Sequence, residues 1–204
     1  MKKFIVLIAA LTAVITSAAR NSYIFLAPGF EEIEALTTVD VLRRANMDVV
    51  TVAVGDSKSV AGSTGITIMA DSLISEINPE CAEWLILPGG EEGVKNLHEN
   101  ALVNKMLLKQ AKHKGGIAAI CAAPARVLAP LKILEGRSCT CYPGMSKEIY
   151  KYGGDYTAGS VVVDGEIVTS EGPATTLPFA CEIIRLSRGE KTANLVAQAM
   201  LSRY

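Results

Sequence analysis

Short runs without a charged residue recur along this chain, each stopped by glycine, proline or a change of pattern. Residues 22–27 (SYIFLA) stop at Pro28-Gly29, 49–54 (VVTVAV) at Gly55, and 84–87 (WLIL) at Pro88-Gly89-Gly90. Residues 117–120 (IAAI) run directly into Cys121. A strand that is apolar at every position needs cover on both faces. The stretches between these runs have the other period. In 31–45, Ile33, Leu36, Val39 and Leu42 recur near helical spacing, and 102–113 reads as a helix with Lys and Gln outward. Buried strands alternating with amphipathic helices imply a three-layer α/β/α sandwich on a mostly parallel, flavodoxin-like sheet.

The rest of the chain fits that plan less regularly. Residues 60–70 read as a weaker extended pair broken by Gly62 and Gly65, and 138–141 as a short strand. Two β-branched runs, 161–163 and 167–169, flank Asp164-Gly165-Glu166, a hairpin turn signal. Residues 173–186 and 191–203 read as closing helices, with Pro178 expected to kink or restart the first. There is no internal repeat or linker, so 21–204 is expected to be one domain.

The first twenty residues stand apart. Met1-Lys2-Lys3 is basic, and 4–19 carries no charge and ends in Ser17-Ala18-Ala19. That is the build of a secretory signal, which makes export the expected destination. The other reading is a buried first element of a cytoplasmic protein. A membrane span needs about twenty apolar residues, so no stable membrane insertion is expected. The formal net charge of -1 and the few aromatic residues argue against a nucleic-acid partner.

Five cysteines, Cys81, Cys121, Cys139, Cys141 and Cys181, cannot form a complete set of disulfides. Cys139 and Cys141 should face the same side of a strand and are too close to pair without strain. C-x-C without a second Cys/His pair is a weak metal signal, so buried thiols are expected and no metal. His98 and His113 are distant from Cys121 in sequence and are expected at the surface.

Ligand sites of open α/β sheets lie beyond the carboxyl ends of the strands. Three strands end in chemically unusual residues. One leads to Glu31, Glu32 and Glu34, one to Gly89-Gly90, and one to Cys121-Ala122-Ala123-Pro124. If those strands are neighbours, an acid, a glycine loop and a thiol meet in one crevice. A cysteine at a strand-to-helix turn, flanked by alanines, has the form of a nucleophile elbow. The positive end of the following helix would favour its thiolate. An inert core cysteine is the competing reading. Gly89-Gly90 can offer backbone N–H groups to an oxyanion or simply make a turn. The glutamates are either surface carboxylates at a helix start or include one buried, protonated acid beside the thiol.

The segments GFEEIEALTTVDVLRRA, LILPGGEEGVKNL, AAICAAPARVLA, CYPG and TSEGPATTLPFA, in this order, resemble the ThiJ/PfpI superfamily. Within it they are similar to the branch of the parkinsonism-associated deglycase and its bacterial relatives. The resemblance implies a nucleophilic, oxidation-prone Cys121, hydrogen-bonded by a protonated Glu34. It implies oxyanion donors at the Gly90 and Ala122 amides, with Gly89 beside them. It also implies a homodimer in which Arg44 and Asp40 lie near the partner's site, and no cofactor. Peptidase-like relatives carry histidine directly after the cysteine; here that residue is Ala122, which sets a protease role aside. The deglycase carries histidine in the segment matching Cys141-Tyr142-Pro143. Tyr142 stands there, and a phenol with pKa near 10 is a poor base at neutral pH. Two activities fit the implied pocket. One is glutathione-independent turnover of small reactive carbonyls or glycated protein side chains. The other is redox sensing or chaperone action through oxidation of Cys121 to a sulfinate. A structural dimer with a vestigial site is the third possibility.

Overall fold

The computed structural model describes residues 20–79 and 82–202. The signal-like segment and Cys81 therefore lie outside the described residues. In chain order the elements are β1 (Ser22–Leu26), α1 (Glu32–Arg44), β2 (Val49–Ala53), β3 (Ser59–Ala61), β4 (Thr67–Met69), β5 (Ser72–Leu73) and β6 (Trp84–Leu87). Then come α2 (Glu91–Glu99), α3 (Ala101–Lys112), β7 (Gly116–Ile120), β8 (Ser138–Cys139), α4 (Ser146–Lys151) and β9 (Asp155–Tyr156). The chain closes with β10 (Val161–Asp164), β11 (Ile167–Ser170), α5 (Thr176–Arg188) and α6 (Glu190–Ala199).

Seven strands form the main sheet in the order β10-β11-β7-β6-β1-β2-β5. All neighbours run parallel except β10, which returns antiparallel on β11 through the expected hairpin. The parallel strands β2-β1-β6-β7-β11 follow the flavodoxin-like order. Apolarity at every strand position now has its reason. Phe25, Leu85, Leu87, Ile117 and Ala119 pack on one face, among residues of α2, α3 and α4. Ile24, Leu26, Ile86, Ala118 and Ile120 pack on the other, with α1, α5 and α6. The sheet is the middle layer of an α/β/α sandwich, as its strand pattern requires.

The order also brings β1, β6 and β7 side by side. Chain direction across the sheet reverses between β1 and β6, and their carboxyl ends open the crevice where such folds bind ligands.

Some local expectations need correction. The 102–113 helix is preceded by a separate one, α2, which the glycine-rich start and Gly93 concealed. Asn100 starts α3 by accepting from the N–H groups of Leu102 and Val103. No regular α-helix follows Cys121: Pro124–Leu128 is one wide π turn, closed by Ala129 N–H on Pro124 O. Of the two outcomes expected at Pro178 the restart is the one seen, two residues earlier: α5 begins at Thr176 after a 3-10 turn at Pro173–Thr175. The proline falls in the first turn, where its missing N–H has no partner to lose. The final helix ends at Ala199. Among the described residues, no helix is long and apolar enough to cross a membrane.

Candidate functional site

Three similar acids open α1, and each has a different task. Glu31 caps the helix, accepting from Glu34 N–H at 2.7 Å. Glu32 turns towards the β3–β4 hairpin. It accepts from the Ser63 hydroxyl (2.9 Å), the Thr64 hydroxyl (2.6 Å) and the Thr64 N–H (2.8 Å). Burial pushes Glu32 upward, but the Thr64 and Ser63 hydrogen bonds outweigh it and bring its pKa to about 2. Glu34, wholly buried, points at the loop after β6, and its Oε2 accepts from Gly89 N–H at 2.6 Å. Burial, helped by the Glu31 charge, raises its pKa from 4.5 to about 7 against the pull of that N–H. Its Oε1 has no hydrogen-bond partner.

The loop after β6 lies against the loop after β1. Glu31 N–H donates to Gly89 O at 3.0 Å, and Gly93 N–H to Gly29 O at 3.2 Å. Only glycine fits at Gly90: φ is +91°, and a Cβ there would fall on Gly29 O. At Gly89 a Cβ would stand 2.6 Å from both Cys121 Cβ and Glu34 Oε2. The close approach of acid and thiol therefore depends on the missing side chain.

Cys121 sits at the end of β7 with φ +65°. That left-handed conformation is disfavoured by about 1–2 kcal/mol for a residue with a Cβ, and such strain tends to gather at functional sites. The thiol is partly exposed. Burial, the charge of Glu34 and the hydrogen bond to Glu34 push it from 9.0 up to about 12, against the N–H groups of Ala122 and Gly90. The thiolate is therefore not favoured in the way a helix end after β7 was expected to favour it. The helix end is a single π turn, and burial beside an ionised carboxylate opposes a second charge. The pair holds one negative charge well and two badly. When a proton moves from sulfur to Glu34, the repulsion goes and the two N–H groups remain on the sulfur.

The structure thus brings together Glu34, Gly89, Gly90, Cys121 and Ala122. Tyr142 is nearby through its backbone, its N–H donating to Cys121 O at 2.7 Å, while its side chain is half exposed. Arg44 and Asp40 lie on the exposed side of α1, paired with each other at 2.9 Å. His98 and His113 are exposed. His98 lines a neighbouring cavity of about 690 Å³ between α2, the π turn and α4, and none of the expected site residues lines it. Cys139 and Cys141 are fully buried, and burial pushes them up to about 11 and about 12, so both stay neutral thiols. The sequence reading passed over Ser170, whose carbonyl takes the Cys121 N–H at 2.9 Å. Its signal was the hydroxyl-, glycine- and proline-rich run TSEGPATT at a strand end.

Comparison with known proteins adds an independent view. The family model described as DJ-1/PfpI family matches residues 20–186. The chain is 40% identical over 190 residues to Protein DJ-1alpha of Drosophila melanogaster, covering 91% of this chain and 86% of that one. It is 32% identical over 189 residues to a protein of Caenorhabditis elegans named glutathione-independent glyoxalase DJR-1.2, covering 91% and 100%. Among solved structures, oxidized Toxoplasma gondii DJ-1 is similar with a TM-score of 0.87 and 33% identity, covering 91% of this chain and all of that one.

Proposed function

Because the chain belongs to the DJ-1/PfpI family, we propose that it is a cysteine-dependent enzyme acting on small reactive carbonyls without glutathione. The supporting observation is the company Cys121 keeps: a carboxyl with a pKa near neutrality and the N–H groups of Gly90 and Ala122 all converge on one sulfur. The name of the Caenorhabditis elegans relative points the same way.

In this reading Glu34, as carboxylate, takes the thiol proton while sulfur attacks the aldehyde carbon of a 2-oxoaldehyde. The C–S bond forms, and the carbonyl electron pair moves to oxygen beside the N–H donors. Glu34 returns the proton to that oxygen, giving a hemithioacetal. The same carboxyl then takes the proton from the former aldehyde carbon and passes it to the neighbouring carbonyl oxygen, giving an enediol; it next takes the proton of the hemithioacetal hydroxyl and delivers it to the neighbouring carbon, leaving a thioester. Water cleaves the thioester, freeing a 2-hydroxy acid and the thiol. Since one carboxyl performs every transfer, no histidine is required of the chain, and slow turnover is expected.

Methylglyoxal consumption without glutathione, measured for wild type and Cys121→Ala, tests the reading. Turnover that persists in Cys121→Ala removes it. The unpartnered Oε1 of Glu34 favours a second reading, in which it holds an oxygen of an oxidised Cys121 as a redox sensor; a Toxoplasma gondii relative is known in an oxidised form. Intact mass after mild peroxide decides this one: an unchanged mass at Cys121 eliminates it.

A further inference from the structure

The left-handed conformation of Cys121 must be held from outside the residue, and its peptide groups identify the holders. Its N–H donates to Ser170 O and its carbonyl accepts from Tyr142 N–H. Ser170 ends β11 and is fully buried. Its hydroxyl donates to Ser160 O at 2.7 Å and stands 2.6 Å from Thr175 Oγ1. A hydroxyl has one proton. With that of Ser170 on Ser160 O, Thr175 is the donor across the pair. Thr175 Oγ1 also accepts from Gly172 N–H at 3.1 Å, while Gly172 O at 2.8 Å competes for its proton. One threonine hydroxyl therefore closes the turn from Ser170 to Thr175. The Tyr142 ring lies near the same turn: a Cβ on Gly172 would be 3.6 Å from Tyr142 Cδ2. The Ser170 clamp on Cys121 is thus held by this turn, and the residue that makes the other clamp lies beside it.

We infer that Ser170 and Thr175 form a positioning pair that fixes the Cys121 elbow, and with it the direction of the sulfur. This rests on the reading of Cys121 as the reactive group. Both hydroxyls act through the Ser170 carbonyl. Ser170 has no solvent exposure, so water does not readily replace a lost hydroxyl partner there. Without the pair, the elbow relaxes and the sulfur leaves the N–H groups of Gly90 and Ala122.

The test is the pH profile of Cys121 alkylation by iodoacetamide, read by mass on the Cys121 peptide. It compares wild type, Thr175→Val, Thr175→Ser and Ser170→Ala, with thermal unfolding alongside. Thr175→Val and Ser170→Ala should slow alkylation at neutral pH by about threefold to tenfold, the range for one lost hydrogen bond. They should also move the profile midpoint upward. Thr175→Ser, which keeps the hydroxyl, should retain the wild-type profile. A merely structural role would lower the melting temperature and leave the midpoint in place. Should Ser170→Ala not fold, the partly exposed Thr175 carries the test. A reactive wild-type Cys121 with an unchanged Thr175→Val profile overturns this inference alone. So does a Thr175→Ser variant as impaired as Thr175→Val. If wild-type Cys121 resists alkylation while Cys181 reacts, the reactive-thiol reading falls and the inference with it.

Discussion

Replacing Glu34 by glutamine preserves the shape of the buried side chain and removes its charge. In the wild type, burial first and the Glu31 charge second raise the Glu34 pKa from 4.5 to about 7, against the Gly89 N–H. A carboxyl held above its unfolded value binds its proton more tightly when folded. Its contribution to stability is complete below 4.5, is lost as pH rises towards about 7, and stays lost beyond. At about 1.4 kcal/mol per pH unit, that interval corresponds to about 3 kcal/mol. Glutamine suffers no such loss. The stability difference between Glu34→Gln and wild type should therefore swing by about 3 kcal/mol towards the variant between pH 4.5 and 8. Glu32, Asp71 and Glu76, whose pKa values are lowered, titrate alike in both proteins and cancel. Urea unfolding at closely spaced pH values, with m compared at each, measures the swing. If the two stability curves stay parallel across that range, Glu34 is not the group that holds the charge, and the proton-transfer scheme has lost its carrier. The stabilised variant should also lose carbonyl turnover, since an amide cannot pass a proton.

Three further changes have worked outcomes. Gly89→Ala places a Cβ 2.6 Å from Cys121 Cβ and Glu34 Oε2. Overpacking of this kind costs about 1–3 kcal/mol, and turnover should fall much further than the melting temperature implies; a full-rate variant refutes the close-approach argument. Glu32→Ala removes three hydrogen bonds to Ser63 and Thr64. The loss of a buried network of this kind is worth about 1–3 kcal/mol, and amide exchange across β3 and β4 should quicken before the sheet's does. The depressed pKa of Glu32 gives stability above 4.5 that fades as pH falls towards about 2, so this variant should lose part of the wild type's acid transition in that window. Gly116→Ala drives a Cβ into the Trp84 ring, with an expected loss of about 1–3 kcal/mol in urea unfolding. Trp84 fluorescence should report the displaced ring, and an unshifted spectrum at wild-type stability speaks against that contact.

What the sequence made legible was whatever depends on period. Ile24 and Phe25 are adjacent and equally apolar because a helical layer lies on each face of β1, and that requirement is written residue by residue. The meeting of Glu34, Gly89 and Cys121 was legible one level down, since each lies just past a strand and only strand order was needed to join them. The sign of the local electrostatics was less accessible. It depends on how deeply Glu34 is buried and on the chain after Cys121 making a π turn instead of a helix, and no spacing reveals either. The short elements α4 and β9 were missed because two turns or fewer leave no period to detect. Ser170 and Thr175 were invisible as a pair because their meaning lies in the peptide groups they hold, not in a recognised side-chain chemistry.

Glu31, Glu32 and Glu34 show that the length of the loop before α1 is itself a chemical variable. Each residue along a helix turns its side chain by about 100°, and the clamp of Glu31 N–H on Gly89 O sets where that rotation starts. Insert one residue ahead of the clamp and Ile33 faces the sulfur; delete one and Ala35 does. The same shift turns the rest of α1 with it, bringing Asp40 to the buried Val41 position after an insertion or Arg43 to the buried Leu42 position after a deletion, so such a protein should be destabilised as well as chemically silent. In the evolution or engineering of this scaffold, insertions and deletions at that junction are therefore a route to inert descendants that keep both the cysteine and the glutamate in their sequences.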